Sequence, residues 1–199
     1  TWKGAPGSFT GYAYLIENQD LPASSTRSLG LRHQRSFGAG SAREFWYAAE
    51  YAQQQGWRAA PETGSVDYGN AEFGLRQQGH GLRLGIEHLG SNGRRAFQTP
   101  LATGHAFNGW ADRFLNTPAN GLQDLHLKLD GPLGKLRYLL ALHRFEAARG
   151  DADYGREWNA QLVWPFATGW TALAKYADYH SEGFGGDVRK LWLSIEYRR

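Results

Sequence analysis

Along most of this chain apolar and polar residues alternate one by one. Over about 122–130, Leu125, Leu127 and Leu129 are set against Asp124, His126, Lys128 and Asp130. Over about 135–146, Leu136, Tyr138, Leu140 and Leu142 are set against Arg137, Ala141 and His143. The same rhythm runs over about 26–37, 43–54, 66–77, 81–90, 156–166, 169–180 and 188–198. Successive side chains of a strand point to opposite faces, so the rhythm predicts strands with one apolar face and one charged or small face. A further strand is expected over about 7–18, where neither face stands out. Residues 1–7 read as a turn, on Gly4, Pro6 and Gly7. About ten strands result, of roughly 9–12 residues each. That exceeds the globular mean of about 5–6 and matches a tilted strand crossing a bilayer.

The connections alternate in length. Short ones centre on Gly38–Gly40, Gly79–Gly81, Gly131–Gly134 and Ala167–Gly169. Long ones centre on Gln19–Ser25, Gly56–Val66, Ala96–Leu122, Ala147–Gly155 and Ser181–Asp187. Outer-membrane barrels have short turns at one end and longer loops at the other. Trp46, Tyr68, Trp158, Trp164, Trp170, Trp192 and Tyr197 lie near expected strand ends and are candidates for interfacial aromatic girdles; filling a β core is the alternative.

The longest interval without alternation is Ala96–Leu122. It is rich in Gly, Pro, Asn and Thr, yet holds Phe97, Phe107, Trp110 and Phe114. Disordered segments are poor in aromatics, so this loop is expected to pack against the sheet. The expected constriction residues are Phe97, Thr99, Pro100, His105, Phe107, Asn108, Trp110, Asp112 and Phe114. A cap across the barrel mouth is the other arrangement.

Composition narrows the picture. The chain has 199 residues, 26 Gly, 14% aromatics and no Cys, so a disulfide framework and a thiolate metal site are excluded. No apolar run approaches 18 residues, which leaves strands as the means of spanning a membrane. The mean hydropathy of −0.57 agrees with a chain whose two faces average out. A net charge of +3, spread along the chain, gives no basic block for nucleic acid. The first residue is Thr1, and no leader-like segment follows; the expectation is a mature chain or a fragment.

Phe97 to Thr103, His105 to Asp112, Thr117 to Leu122 and Asp124 together resemble the alginate-export family of Gram-negative outer-membrane proteins. Gly11 to Leu15 and Tyr47 to Ala52 are similar to the same family. The resemblance implies an all-β, antiparallel up-and-down transmembrane β-barrel in the cell outer membrane. It also implies that anionic polysaccharide or other polar solutes cross it. Family barrels are roughly twice this length, so the chain is expected to be the C-terminal half of a larger barrel. The partners implied are outer-membrane lipid, a polar or anionic solute, and the barrel-assembly machinery.

The polar face is expected to line the pore with Arg32, Glu50, Glu72, Arg76, Arg83, Glu87, Asp124, Lys128, Arg137, Glu157, Lys175, Lys190 and Glu196. Leu127, Leu140, Leu162 and Leu193 are expected to face lipid. The near balance of charge signs argues against alginate itself. His105, His126 and His143 are too dispersed in sequence for metal-ligand spacing, so no metal and no cofactor are expected. Asp112 and Asp124 flank the loop without a nucleophile–base constellation; anchoring the loop or touching Ca²⁺ are the milder roles. Gly183 to Gly186 lacks the Lys-Ser/Thr of a phosphate loop. No catalysis is expected. The competing class is a soluble β-barrel binding a ligand in an apolar interior. An enzyme on a membrane barrel would need a catalytic cluster in the long loops, and the sequence offers none.

Overall fold

A computed structural model describes residues 1–101 and 108–199. They form one 11-stranded antiparallel sheet in which each strand pairs with its neighbours in sequence. The strands are β1 (Trp2–Gly4), β2 (Gly7–Ile16), β3 (Thr26–Phe37), β4 (Arg43–Gly56), β5 (Val66–Gln77), β6 (His80–Leu89), β7 (Leu122–Leu133), β8 (Leu136–Glu146), β9 (Asp153–Ala167), β10 (Trp170–Ser181) and β11 (Val188–Tyr197). Among the described residues no pairing joins β1 to β11, so the sheet is open at both edges. The long and short connections alternate as the sequence predicts. The shortest pattern is clear at β5–β6, where Gln78 and Gly79 have φ of 51° and 83°. Two positive φ values in a two-residue loop are what a type I′ turn needs, and its twist matches that of the strands.

Most strand ends fall within about three residues of the expected ones, and the N-terminus differs most. The expected N-terminal turn contains β1, with Trp2 paired to Phe9 and Gly4 to Gly7. The turn proper is only Ala5 and Pro6, and the register of β2 on β3 sets its place. That register also settles the ambiguous strand. Tyr12 pairs with Gly30 and Thr10 with Arg32, so Ser8, Thr10, Tyr12 and Tyr14 share a face with Arg32.

The sheet is inside-out relative to a soluble domain. Leu29, Leu31, Phe73, Leu84, Leu127, Leu140, Leu142, Leu162, Leu191, Leu193 and Ile195 are all exposed. They lie on the face opposite the long loop. A soluble barrel that binds a ligand inside would bury these leucines, so the distribution runs against that class. The buried cluster lies on the other face, where the loop residues Phe97, Ala111 and Phe114 meet Ala52, Leu89, Leu122, Phe145, Ala177 and Tyr179 of the strands. Burial of such an aromatic is worth about 1.5–3 kcal/mol, which is what draws the loop down onto the sheet.

Girdle positions are only partly as expected. Trp158, Trp164, Trp170 and Tyr197 are on the outer, apolar face. Tyr68, Trp46 and Trp192 are on the loop-bearing face, since Trp46 pairs with Ser36 and Gly74, Tyr68 with Ala52, and Trp192 with Lys175. Period two decides the face of a residue, and aromatic character alone does not.

Candidate functional site

The loop between β6 and β7 is held at three levels. Its stems are joined by side-chain amides. Gln54, on β4 and 1% exposed, accepts from Gln98 N–H through Oε1 at 2.9 Å and donates to the Gln98 carbonyl through Nε2 at 2.9 Å. One side chain thus satisfies both backbone groups of Gln98, as a neighbouring strand would. Gln98 repeats the device across the loop. Its Nε2 donates to the Thr117 carbonyl at 3.1 Å, and its Oε1 accepts from Thr117 N–H at 3.2 Å.

Below the stems, Phe114 anchors the loop. It packs on Phe145 with ring centroids 4.5 Å apart, on Phe184 at 5.3 Å and against Tyr179 edge-on at 5.9 Å. Phe97 packs on Tyr68 at 5.2 Å. These contacts carry the hydrophobic free energy of closure; the amide bridges set its register.

At the tip, charges meet dipoles. The Glu157 carboxylate, 2% exposed, accepts from Trp110 N–H at 2.5 Å and Ala111 N–H at 2.9 Å through one oxygen. A Cβ on Gly109 would sit 2.4 Å from the other oxygen, so only glycine leaves room for the carboxylate there. Asn108 donates to Glu87 at 2.6 Å and to Asp124 at 3.4 Å. Lys190 Nζ lies 2.6 Å from Asp112, and Lys175 Nζ stands 4.2 Å over the Trp110 ring. Asp112 therefore anchors the loop by an ion pair rather than pairing with Asp124. His105 and Phe107 lie outside the described residues. Thr99 and Pro100 line a cleft of about 560 Å³ between the loop and the β2–β5 wall, with Tyr12, Glu50, Glu87 and Asn108.

The ionisable residues expected along the pore all fall on this loop-bearing face. Direct cross-strand partners share a face, and Arg32–Glu50, Glu50–Asn70, Asn70–Glu87 and Glu87–Asp124 are direct partners. Glu72 stands beside them, and Arg83 pairs directly with Lys128. Several are compensated. Arg32 meets Glu50 at 2.8 Å, Arg76 meets Asp130 at 3.2 Å, and Arg83 meets Glu72 at 3.8 Å. Among the described residues Lys128, Arg137 and Lys175 make no ion pair. Glu196 sits at the far end of β11 and contacts Arg198 at 2.6 Å.

The dispersed histidines are corrected by the register. His126 and His143 are direct partners on β7 and β8, and Asp124 lies on the same face two residues before His126. The three side chains are buried, and their potential ligand atoms all lie within 4.8 Å of one another. Spacing along the chain could not reveal this, because a hairpin brings residues on either side of its turn face to face.

No protein-family model matches the sequence, and no curated protein matches it. Solved structures match its fold. Acinetobacter baumannii OccAB2 aligns with a TM-score of 0.62 over 87% of this chain and 47% of that chain, at 16% identity. Pseudomonas aeruginosa OccK9 (OpdG) aligns with a TM-score of 0.59 over 87% and 46%, also at 16% identity. Both are outer-membrane porins. The likeness is one of fold, an antiparallel sheet matching part of each of those barrels. The chain spans about half the length of the porins it matches. These matches support a porin-like barrel and do not extend to alginate export.

Sequence reasoning missed Gln54, Gln98 and Thr117 as the residues that seat the loop. The polar Gln54 at an even position of β4 was visible. Its partner was not, because the contact spans 44 residues.

Proposed function

We propose that the chain forms part of an outer-membrane channel for polar solutes, with the β6–β7 loop as its constriction. The observation that carries this reading is the inside-out sheet with the loop folded onto its charged face. Apolar residues outside meet lipid; charged residues inside remain hydrated and pair across strands. The neighbouring porin folds support the same reading.

Solutes would pass between the loop and the wall. Lys128, Arg137 and Lys175, free of carboxylate partners among the described residues, attract anions. Glu50, Glu72, Glu87 and Glu157 oppose them nearby. That mixture favours small polar solutes, anions among them, over a long polyanion such as alginate. Nothing in this path requires a covalent step.

Single-channel conductance in planar bilayers tests the reading. The complete protein is compared with a form in which residues 98–120 are replaced by a short Gly-Ser linker. The open conductance should rise clearly on removal. An unchanged conductance from a folded barrel means that the loop lies outside the permeation path.

A further inference from the structure

A band of buried polar residues crosses the sheet beneath the loop. Glu72 pairs with Gly85, Gly85 with His126, His126 with His143, and His143 with Glu157. Asp124 stands one row away on the same face. Its two oxygens are each 2.9 Å from His143 Nδ1, and Oδ2 is 3.8 Å from His126 Nδ1. His126 is 4% exposed, yet neither ring nitrogen has a hydrogen-bond partner. Both nitrogens face carboxylates, Glu72 at 3.5 Å and Asp124 at 3.8 Å, farther than a good hydrogen bond. So the site contains a nitrogen ligand with unused capacity, aimed at a carboxylate and a second imidazole.

The geometry around His126 is specific. Its Nε2 points toward Glu72 Oε1 at 3.5 Å. Glycine at position 85 makes this possible, since a Cβ there would stand 2.4 Å from His126 Nε2. A histidine that binds a metal through one nitrogen commonly donates its other N–H to a carboxylate, which fixes the ring and its tautomer. Glu72 is placed for that role.

We propose that Asp124, His126 and His143 bind a borderline divalent transition-metal ion, with Zn²⁺ the expected occupant. Two imidazole nitrogens and one carboxylate oxygen suit Zn²⁺, Ni²⁺ or Cu²⁺, whereas Ca²⁺ and Mg²⁺ need oxygen ligands. Ligands at about 2.0–2.2 Å from a tetrahedral ion lie about 3.3–3.6 Å apart, so the three groups need only small side-chain shifts to close on one ion. Water completes the coordination. The inference is independent of the channel reading, because it uses only the local geometry of β5–β8. Bound metal would also reach the loop, because Asn108 touches the same Asp124 carboxylate.

Isothermal titration of the complete, metal-stripped protein in detergent with ZnCl₂ tests the site. One Zn²⁺ per chain is expected. His126→Ala and His143→Ala should abolish saturable binding, while His180→Ala, on an exposed histidine, should leave it intact. Glu72→Gln should weaken it about 10–100-fold without removing it. Failure of the folded wild-type protein to bind Zn²⁺ overturns the proposal. So does binding that survives in either folded histidine variant. If those variants do not fold, X-ray absorption at the zinc edge of the wild-type protein decides. Two imidazoles in a four-coordinate shell support the site, and an all-oxygen shell overturns it.

Discussion

The two faces of this sheet are built on different rules. The outer face repeats one instruction, an apolar side chain at every second position. Leu127, Leu140, Leu162 and Leu193 have no specific partners, and any of them could be exchanged for another apolar residue. On the loop-bearing face specific side chains hold specific residues of the loop. Gln54 holds Gln98, Glu157 holds Trp110 and Ala111, and Lys190 holds Asp112. One face answers to a solvent, the other to a single segment of chain. The outer face should therefore respond to the class of a substitution and the inner one to its shape.

Phe114→Ala should have the largest effect. It removes the ring shared by Phe145, Tyr154, Tyr179 and Phe184, and a buried Phe→Ala change costs about 3–5 kcal/mol. Denaturant unfolding of the protein in detergent measures it. A loss as small as that of an outer-face Leu→Ala variant would erase the distinction between the faces.

Next comes the exchange of class on the outer face. Leu127→Arg in lipid vesicles should cost about 2–4 kcal/mol, since a charge near the bilayer midplane must be desolvated. The partner experiment, Ser194→Arg on the loop-bearing face, should stay within about 0.5 kcal/mol. Equal penalties would mean that the two faces do not meet different solvents.

Gln54→Ala sharpens the account of the stems. It leaves the backbone N–H and carbonyl of Gln98 without their partner, a loss of about 1–3 kcal/mol. The effect should be local. Hydrogen exchange at the Gln98 amide should accelerate while the strand amides of β7 and β8 keep their protection.

The smallest effect concerns an outer loop. Ser181 N–H donates to Asp187, and His180 lies alongside; together they hold the Asp187 carboxyl below the usual carboxylate range. A depressed folded-state pKa gives stability that is present above the unfolded value and is lost as pH falls through the folded one. The β10–β11 connection should therefore loosen below about pH 4. Exchange at the Ser181 amide reports it, and Asp187→Asn should abolish the pH dependence.

Much of this molecule was legible in the residues themselves. The antiparallel strands, the alternation of long and short connections, and the face of Arg83, Lys128 or Leu127 follow from period two, because a strand has no other way to place its side chains. The packing of the loop followed from aromatics that water would not tolerate. Register was not legible. It decided that Thr1 to Gly7 contains a strand and that His126 faces His143. The amides that seat the loop were equally hidden. A Gln is polar wherever it stands, and only the folded sheet brings Gln54 to Gln98 across 44 residues of chain. Local pattern is set by solvent and backbone geometry, which act on each residue alone. Pairing is set by which segments meet, and the tertiary structure alone decides that.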